Sequence, residues 1–260
     1  MASVAELIRE RQSKNQDVLI GYFPVGFPTI EKSIAACVAM CEAGVDILEL
    51  GVPYSDPVMD GLVIQEATET ALANGFKLRQ LFDAVRQITS EVTTPVLIMS
   101  YWNPIIQFGI RKFAEEIKNS GAKGLITPDL IPDEAAEWMA ISDGLGLDRV
   151  FLATPSSSQE RIEAAAKASR GFVYAVSTMG ITGAREDLDA KARAVVSGVK
   201  ATESTTPVCV GIGISTAAQV REVNSYSDGA IVGSALIKAY NQGGVNQLVS
   251  CVKELKAGAQ

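Results

Sequence analysis

The 260-residue sequence contains no histidine, and this absence restricts its chemistry more than any other feature. A Ser-His-Asp triad, a histidine-ligated zinc ion and acid–base catalysis by imidazole are all excluded. Any proton transfer must therefore be carried out by carboxylates, tyrosines, lysines, cysteines or water.

Cysteines and long apolar runs are also scarce. The four cysteines have neither metal-binding nor redox spacing, and we interpret them as reduced packing residues: Cys37, Cys41, Cys209 and Cys251. No apolar stretch approaches the roughly 20 residues that span a bilayer. The charged N-terminus lacks the apolar segment of a secretory signal. We therefore expect a cytoplasmic protein that does not enter a membrane.

Positive charge falls short of negative charge. The sequence has 23 Lys and Arg residues against 30 Asp and Glu residues, which leaves a net charge of −7. This balance argues against nucleic acid as a partner, because nucleic acid selects basic surfaces. It does not exclude an anionic substrate, since a helix N-terminus binds phosphate whatever the global charge.

The sequence does contain a regular alternation of short apolar runs and longer helical patterns. The strand candidates are 18–23, 45–50, 95–100, 122–127, 148–153, 171–176, 207–211 and 229–232. The helical segments lie near 30–43, 62–90, 109–119, 133–144, 158–168, 187–201, 215–225 and 234–256. Ser157 and Glu160 have capping-box spacing, and Ser215 opens the segment after a Gly-Ile-Gly turn.

Eight strand–helix units predict a (β/α)8 TIM barrel, an α/β fold with a parallel sheet. A short amphipathic N-terminal helix precedes it, with Val4, Leu7 and Ile8 on one side. A doubly wound open sheet is the alternative, but no G-x-G-x-x-G follows the first strand. Because no linker divides the chain, we predict a single domain over residues 1–260.

The second predicted strand carries a carboxylate, Glu49. By the two-residue period of a strand, Glu49 shares a face with Val45, Ile47 and Gly51. If that face points into the barrel, desolvation raises the pKa of Glu49 and makes it an acid or base near neutrality. The alternative is that Glu49 faces outward and pairs with a cation on a helix.

Other carboxylates lie in loops after strands. Asp56 and Asp60 belong to the long connection 51–61, and Asp129 follows the fourth strand. Each also fits an ordinary turn. A magnesium site built from several of these carboxylates remains open.

Two glycine turns follow the last two predicted strands, at Gly211-Ile-Gly213 and Gly233-Ser234. Loops at these positions commonly bind phosphate in (β/α)8 barrels, where backbone N–H groups meet an anion at a helix N-terminus. Tight turns without a ligand are the alternative. The long connection 176–187, with Gly180 and Gly183, is a candidate lid.

The run 49–61, ELGVPYSDPVMDG, resembles the signature E-[LIV]-G-x-P-[FY]-S-D-P-x-x-D-G of tryptophan synthase α subunits. The resemblance continues in order through 101–104 (YWNP), 127–130 (TPDL), 180–184 (GITGA), 211–213 and 233–234. It thus spans nearly the whole chain.

The resemblance implies a lyase without cofactor or metal that splits indole-3-glycerol phosphate into indole and glyceraldehyde 3-phosphate. In that family, the position of Glu49 is the general acid/base and that of Asp60 is the second catalytic carboxylate. The remaining matched positions bind substrate, around the phosphate at Gly183, Gly213, Gly233 and Ser234 and on the indole side at Tyr22, Tyr174 and Thr182.

The resemblance also implies a partner, a pyridoxal-phosphate-dependent β subunit in an α2β2 complex that receives the indole. Its contacts would include the loop bearing Pro53 and Asp56 and the segment near 103–104. Four residues depart from the commonest family pattern: Phe27, Met59, Leu62 and Ile212. We expect them to affect details of the pocket and the activity without the partner, but not the reaction.

Three alternatives stay open at this point. One is another phosphate-handling barrel, such as an isomerase of histidine or tryptophan biosynthesis. Another is a barrel that only binds a ligand and regulates a partner enzyme. The third is a free-standing lyase that releases indole. A Schiff-base route has no obvious nucleophile, because no lysine lies near the C-terminal end of a predicted strand.

Overall fold

The computed structural model describes residues 3–176, 185–211 and 213–259. Within these ranges, neighbouring strands pair in parallel in the order β5-β4-β3-β2-β1-β9-β8-β7-β6. The strands are β1 (Leu19–Pro24), β2 (Ile47–Gly51), β3 (Val96–Met99), β4 (Gly124–Ile126), β5 (Asp148–Val150), β6 (Leu152–Ala153), β7 (Val173–Val176), β8 (Val208–Gly211) and β9 (Gly229–Val232).

Helices connect these strands. They are α1 (Val4–Ser13), α2 (Ile30–Ala43), α3 (Leu62–Ala73), α4 (Arg79–Glu91), α5 (Trp102–Phe108), α6 (Ile110–Ser120), α7 (Ala136–Leu145), α8 (Gln159–Ala168), α9 (Arg185–Lys200), α10 (Ala217–Asn224) and α11 (Ser234–Ala257), with a 3-10 turn at Pro132–Glu134. None of the helices in the described ranges is long and apolar enough to cross a membrane.

The sheet closes on itself through Phe151. Strands β5 and β6 end the order of strands, yet Phe151 alone separates them in the chain, and together they form the predicted strand 148–153. The Phe151 N–H donates to Ser169 Oγ (3.1 Å), and Arg149 and Arg170 exchange backbone hydrogen bonds, so the ladder is interrupted locally. Eight strand positions therefore form a ring, and the prediction of a (β/α)8 barrel is confirmed.

Inward-facing side chains fill the ring with one apolar cluster, which includes Ile20, Ile47, Leu97, Ile126, Val150, Cys209 and Ile231. Val4 and Ile8 of α1 belong to the same cluster, so α1 covers one end of the ring. The Val4 N–H donates to Asp148 at the first residue of β5 (2.9 Å), which places α1 at the N-terminal ends of the strands. We call this end the barrel floor, and we call the opposite end, where the strands finish, the barrel mouth.

Several helix bounds differ from the predicted ones. The predicted segment 62–90 is two helices, because the chain turns at Gly75 with a φ of 86°. Helix α5 was not predicted at all. The last helix contains non-helical backbone at Gly243 and Gly244.

The two predicted helix caps are each wrong by one residue. Ser158 rather than Ser157 caps α8, by accepting the Arg161 N–H, and Ser157 instead accepts the Thr154 N–H. Thr216 rather than Ser215 caps α10. In both places neighbouring hydroxyl residues offer several possible caps, and the path of the chain selects among them.

Candidate active site

Glu49 lies in the interior of the barrel near its mouth. It is two residues beyond Ile47, a member of the inner cluster, and its register partners are Tyr22 on β1 and Leu97 on β3. Its exposed fraction is 0%. The side chain thus has the orientation that the two-residue period indicates, and the outward-facing alternative is wrong.

The Glu49 carboxyl is unpaired among the described residues. Neither Oε1 nor Oε2 has a hydrogen-bond partner there. Burial, with a smaller contribution from nearby Asp60, raises the pKa of Glu49 to about 8. A buried carboxyl without a donor or a cation is costly as an anion, so this group is protonated at neutral pH.

Asp60 lies in the loop between β2 and α3. Burial raises its pKa to about 6, and a hydrogen bond from Tyr101 opposes that rise. Its backbone makes two local hydrogen bonds: the Asp60 N–H donates to the Pro57 carbonyl (3.0 Å), and Gln65 Nε2 donates to the Asp60 carbonyl (2.8 Å). At neutral pH Asp60 is largely ionised while Glu49 is not.

Tyr22 and Tyr174 line the interior beside these carboxylates. Burial raises the pKa of both hydroxyls well above the usual value, and the charges of Asp60 and Glu49 raise them further. The four side chains are therefore close enough to form one electrostatic cluster.

Glycines make room for the two tyrosine rings. A Cβ on Gly51 would overlap the Tyr22 hydroxyl, and a Cβ on Gly233 would lie 3.3 Å from the same ring. A Cβ on Gly211 would lie 2.6 Å from the Tyr174 hydroxyl. Larger residues at these strand ends would push the rings out of their positions.

The two glycine turns lie side by side at the mouth, because β8 and β9 are paired neighbours. Gly213 has a φ of 68°, a conformation that favours glycine. Gly233 occupies the N-cap position of α11 and Ser234 is the first helical residue, with no side-chain cap at this helix end. An anion could therefore meet backbone N–H groups there.

Some predicted positions lie outside the described residues. These are Thr182 and Gly183, which the resemblance assigns to substrate binding, together with Gly180 and Ile212.

The other loop carboxylates have local partners. Asp56 is exposed and accepts a hydrogen bond from Ser55 Oγ (2.6 Å). Asp129 accepts the Trp102 N–H with both oxygens, at 2.9 and 3.1 Å, and so caps α5. In the part of the chain that the structure describes, no three His, Cys, Asp or Glu residues form a group that could hold a metal. Nothing here favours the magnesium alternative.

Tyr101 joins the site although the sequence gives it no role beyond its place in the run 101–104 of the family resemblance. Its hydroxyl accepts the Met59 N–H (2.9 Å) and lies close enough to the Asp60 carboxylate to lower the pKa of that group. The available signal is its position directly after the third predicted strand, where barrel active-site residues often lie.

Large apolar side chains stand exposed on segments around the mouth. Val58 in the β2–α3 loop is 80% exposed, and Leu62 at the start of α3 is 67% exposed. Ile106 on α5 and Ile131 after β4 are exposed as well. Exposed apolar side chains that form a contiguous patch are typical of a surface for a protein partner.

A crevice of about 250 Å³ lies at the barrel floor, far from these groups. Its polar groups are bonded to one another: Arg9 donates to the Thr205 carbonyl (3.0 Å) and Gln12 donates to Asp228 (2.7 Å). The unpaired carboxyl at the mouth makes the mouth the stronger candidate.

Known proteins resemble this chain over its full length. A family model described as "Tryptophan synthase alpha chain" matches residues 8–260. A tryptophan synthase alpha chain of Leifsonia xyli is 57% identical over 259 residues, which cover 100% of this chain and 99% of that one. The Mycobacterium marinum alpha chain is 48% identical, over 96% of this chain and 91% of that one. A solved structure of Mycobacterium tuberculosis tryptophan synthase superimposes with a TM-score of 0.93 at 46% identity, covering 100% of this chain and 99% of that one.

Proposed function

We propose, since this chain belongs to the tryptophan synthase alpha chain family, that it cleaves indole-3-glycerol phosphate into indole and glyceraldehyde 3-phosphate at the barrel mouth. Membership in the family makes it a carbon–carbon lyase of tryptophan biosynthesis. The observation that carries the choice of site is the fully buried Glu49 carboxyl, which lacks a described partner and interacts with Asp60.

Glu49 acts first as an acid and then as a base. Its protonated carboxyl donates to C3 of the indole, which makes an indoleninium cation and weakens the bond from C3 to the side chain. The resulting carboxylate then takes the proton of the hydroxyl on the adjacent carbon. The O–H electrons form the aldehyde, the carbon–carbon bond breaks toward the ring, and indole leaves neutral. Glu49 ends protonated, so the cycle balances.

Asp60 stabilises the cation. As an anion it accepts a hydrogen bond from the indole N–H, where positive charge develops. The two carboxyls have different roles, acid and anion, because their environments set different pKa values, about 8 for Glu49 and about 6 for Asp60.

The glycine turns bind the phosphate of the substrate in this proposal. The N-terminus of α11 and the absence of a side-chain cap there support Gly213, Gly233 and Ser234 as donors. The resemblance adds Gly183 near the phosphate and Thr182 on the indole side. Tyr22 and Tyr174 flank the indole, and no cofactor takes part.

A tryptophan synthase β subunit is the proposed partner, in an α2β2 complex. The exposed apolar side chains of Val58, Leu62 and Ile106 support docking over the mouth. The loop bearing Pro53 and Asp56 and the segment near 103–104 flank this surface.

The chain is further proposed to work in the cytoplasm as one domain over 1–260. Support for one domain comes from the pairing of β1 with β9, which joins the first and last strands in one sheet.

The test is to mix the purified chain with indole-3-glycerol phosphate, with and without a β subunit, and to assay indole. Indole release that requires Glu49 and Asp60 supports the proposal. Release without a β subunit identifies a free-standing lyase. If no indole forms in either mixture, the catalytic proposal fails and ligand binding alone remains.

A further inference from the structure

We propose that Tyr101 is a positioning residue that holds Asp60 in its catalytic place. The proposal rests on the proposed role of Asp60, although its test does not need turnover. Tyr101 itself is not required to touch the substrate.

Asp60 needs an anchor because its loop is largely solvent-facing. Its neighbours Ser55, Asp56 and Val58 are exposed, and α3 begins directly afterwards at Leu62 without a side-chain cap. Segments with few buried contacts sample several conformations. A catalytic carboxylate on such a loop must be located by a contact from a more rigid part of the molecule.

Tyr101 belongs to a rigid part of the molecule. It follows β3 and is 5% exposed. The Tyr101 carbonyl accepts Ser100 Oγ (3.0 Å), and the next peptide N–H, of Trp102, donates to Asp129. The ring packs on Tyr54 of the β2–α3 loop with centroids 5.2 Å apart. The burial of Tyr101 and the contacts to its backbone thus fix where the hydroxyl lies.

The hydroxyl contacts the loop next to Asp60. It accepts the Met59 N–H (2.9 Å), which fixes the peptide before Asp60. Its O–H remains available to the Asp60 carboxylate, whose pKa it lowers. The loop backbone and the Asp60 carboxylate are therefore both located relative to the Tyr101 hydroxyl.

The Tyr101 hydroxyl also favours the charged form of Asp60. A donor to a carboxylate lowers its pKa, and here it opposes the effect of burial. Loss of the hydroxyl should therefore misplace Asp60 and leave less of it ionised at neutral pH.

The experiment compares Tyr101→Phe with the wild-type chain by 13C NMR titration of labelled aspartate carboxyls. The Asp60 signal is assigned by its absence in Asp60→Asn. We expect the pKa of Asp60 to rise in Tyr101→Phe. In lyase assays we expect kcat to fall roughly 10- to 100-fold, with KM changed less than about 2-fold. The low-pH limb of the rate profile should move upward.

Tyr226→Phe is the matched control. The Tyr226 hydroxyl bonds to Asp189 (2.9 Å), so this variant also removes a tyrosine–aspartate hydrogen bond, and it should leave the Asp60 titration and kcat unchanged. If Tyr101→Phe fails to fold, 3-fluorotyrosine at 101 keeps the hydroxyl as a stronger donor and should lower the pKa of Asp60.

An unchanged Asp60 titration in Tyr101→Phe, or in the fluorotyrosine protein, overturns the proposal. A raised KM with unchanged kcat also overturns it, because that pattern indicates a substrate contact. If Asp60 shifts as expected but the wild-type chain releases no indole, the lyase proposal fails and the positioning role stands.

Discussion

Two buried carboxylates, Asp46 and Glu49, lie three residues apart and have opposite surroundings. Asp46 accepts the Leu19 N–H (2.9 Å) and forms ion pairs with Arg11 (3.2 Å) and Lys256. Glu49 has no described hydrogen-bond partner. A buried carboxylate supplied with cations stabilises a fold, whereas one without partners is a stability cost that a functional site explains.

The same contrast separates the two ends of the barrel. At the floor, α1 adds Val4 and Ile8 to the apolar cluster, and Asp148 accepts the Val4 N–H. At the mouth, Glu49 and Asp60 have pKa values raised by burial. The contacts at the floor stabilise the fold, whereas the carboxylates at the mouth are available for a reaction.

The largest expected effect comes from Glu49→Gln, which keeps the shape of the side chain and removes its acidic carboxyl proton. We expect kcat to fall about 10³-fold, or about 4 kcal/mol of transition-state stabilisation. Single-turnover cleavage of indole-3-glycerol phosphate measures it. Glu163→Gln, which alters an exposed pair with Lys167, is the control and should have normal turnover.

Asp60→Asn should have the next largest effect. Loss of the anion beside the indole N–H should lower kcat about 10²-fold, while glycerol 3-phosphate, a probe of the phosphate subsite, should bind as before. Calorimetry measures the binding. Asp83→Asn, at an exposed Arg86 pair, should leave both unchanged. Near-normal turnover of Asp60→Asn would contradict its role.

The third prediction compares how the two buried carboxylates affect the free energy of unfolding. Asp46→Asn should lower the free energy of unfolding by about 2 kcal/mol, because it leaves Lys256 and Arg11 without their anion. Glu49→Gln should instead raise it above pH 8. Urea denaturation at pH 5 and pH 9 measures both. A change of the same sign in the free energy of unfolding of both variants at pH 9 would contradict the contrast between Asp46 and Glu49.

The direction of the stability change expected for Glu49→Gln follows from the raised pKa of Glu49. Between 4.5 and about 8 the folded chain binds a proton that the unfolded chain has lost. The associated stability is fully present below pH 4.5 and is lost as the pH rises through 8. Glutamine at this position carries no charge, so the variant avoids the loss.

The smallest expected effect is the pH dependence of the wild-type rate. The rate should rise as Asp60 ionises near pH 6 and fall as Glu49 ionises near pH 8. Within that window the change is only about a few-fold. A steady-state profile from pH 5 to pH 9 measures it, and a rate that keeps rising from pH 8 to pH 9 would contradict an acid role for Glu49.

Much of the barrel could be predicted because strand and helix periods are local properties. The face of Glu49 followed from the two-residue period around Ile47, and the fold class followed from the alternation of elements. Helix α5 was not predicted, because Asp129 caps it from 27 residues away. The closure at Phe151 was not predicted either, since it depends on the hydrogen bond from the Phe151 N–H to Ser169 Oγ.

The sequence by itself excluded imidazole as the acid or base, since it has no histidine, and it indicated which strand would present a carboxylate inward. Only the tertiary structure decided which carboxylate would have partners. Lys256 reaches Asp46 across 210 residues, and Tyr101 reaches Asp60 from a different strand end. A period determines the direction of a side chain, but the groups that meet it come from distant parts of the chain and are set by packing.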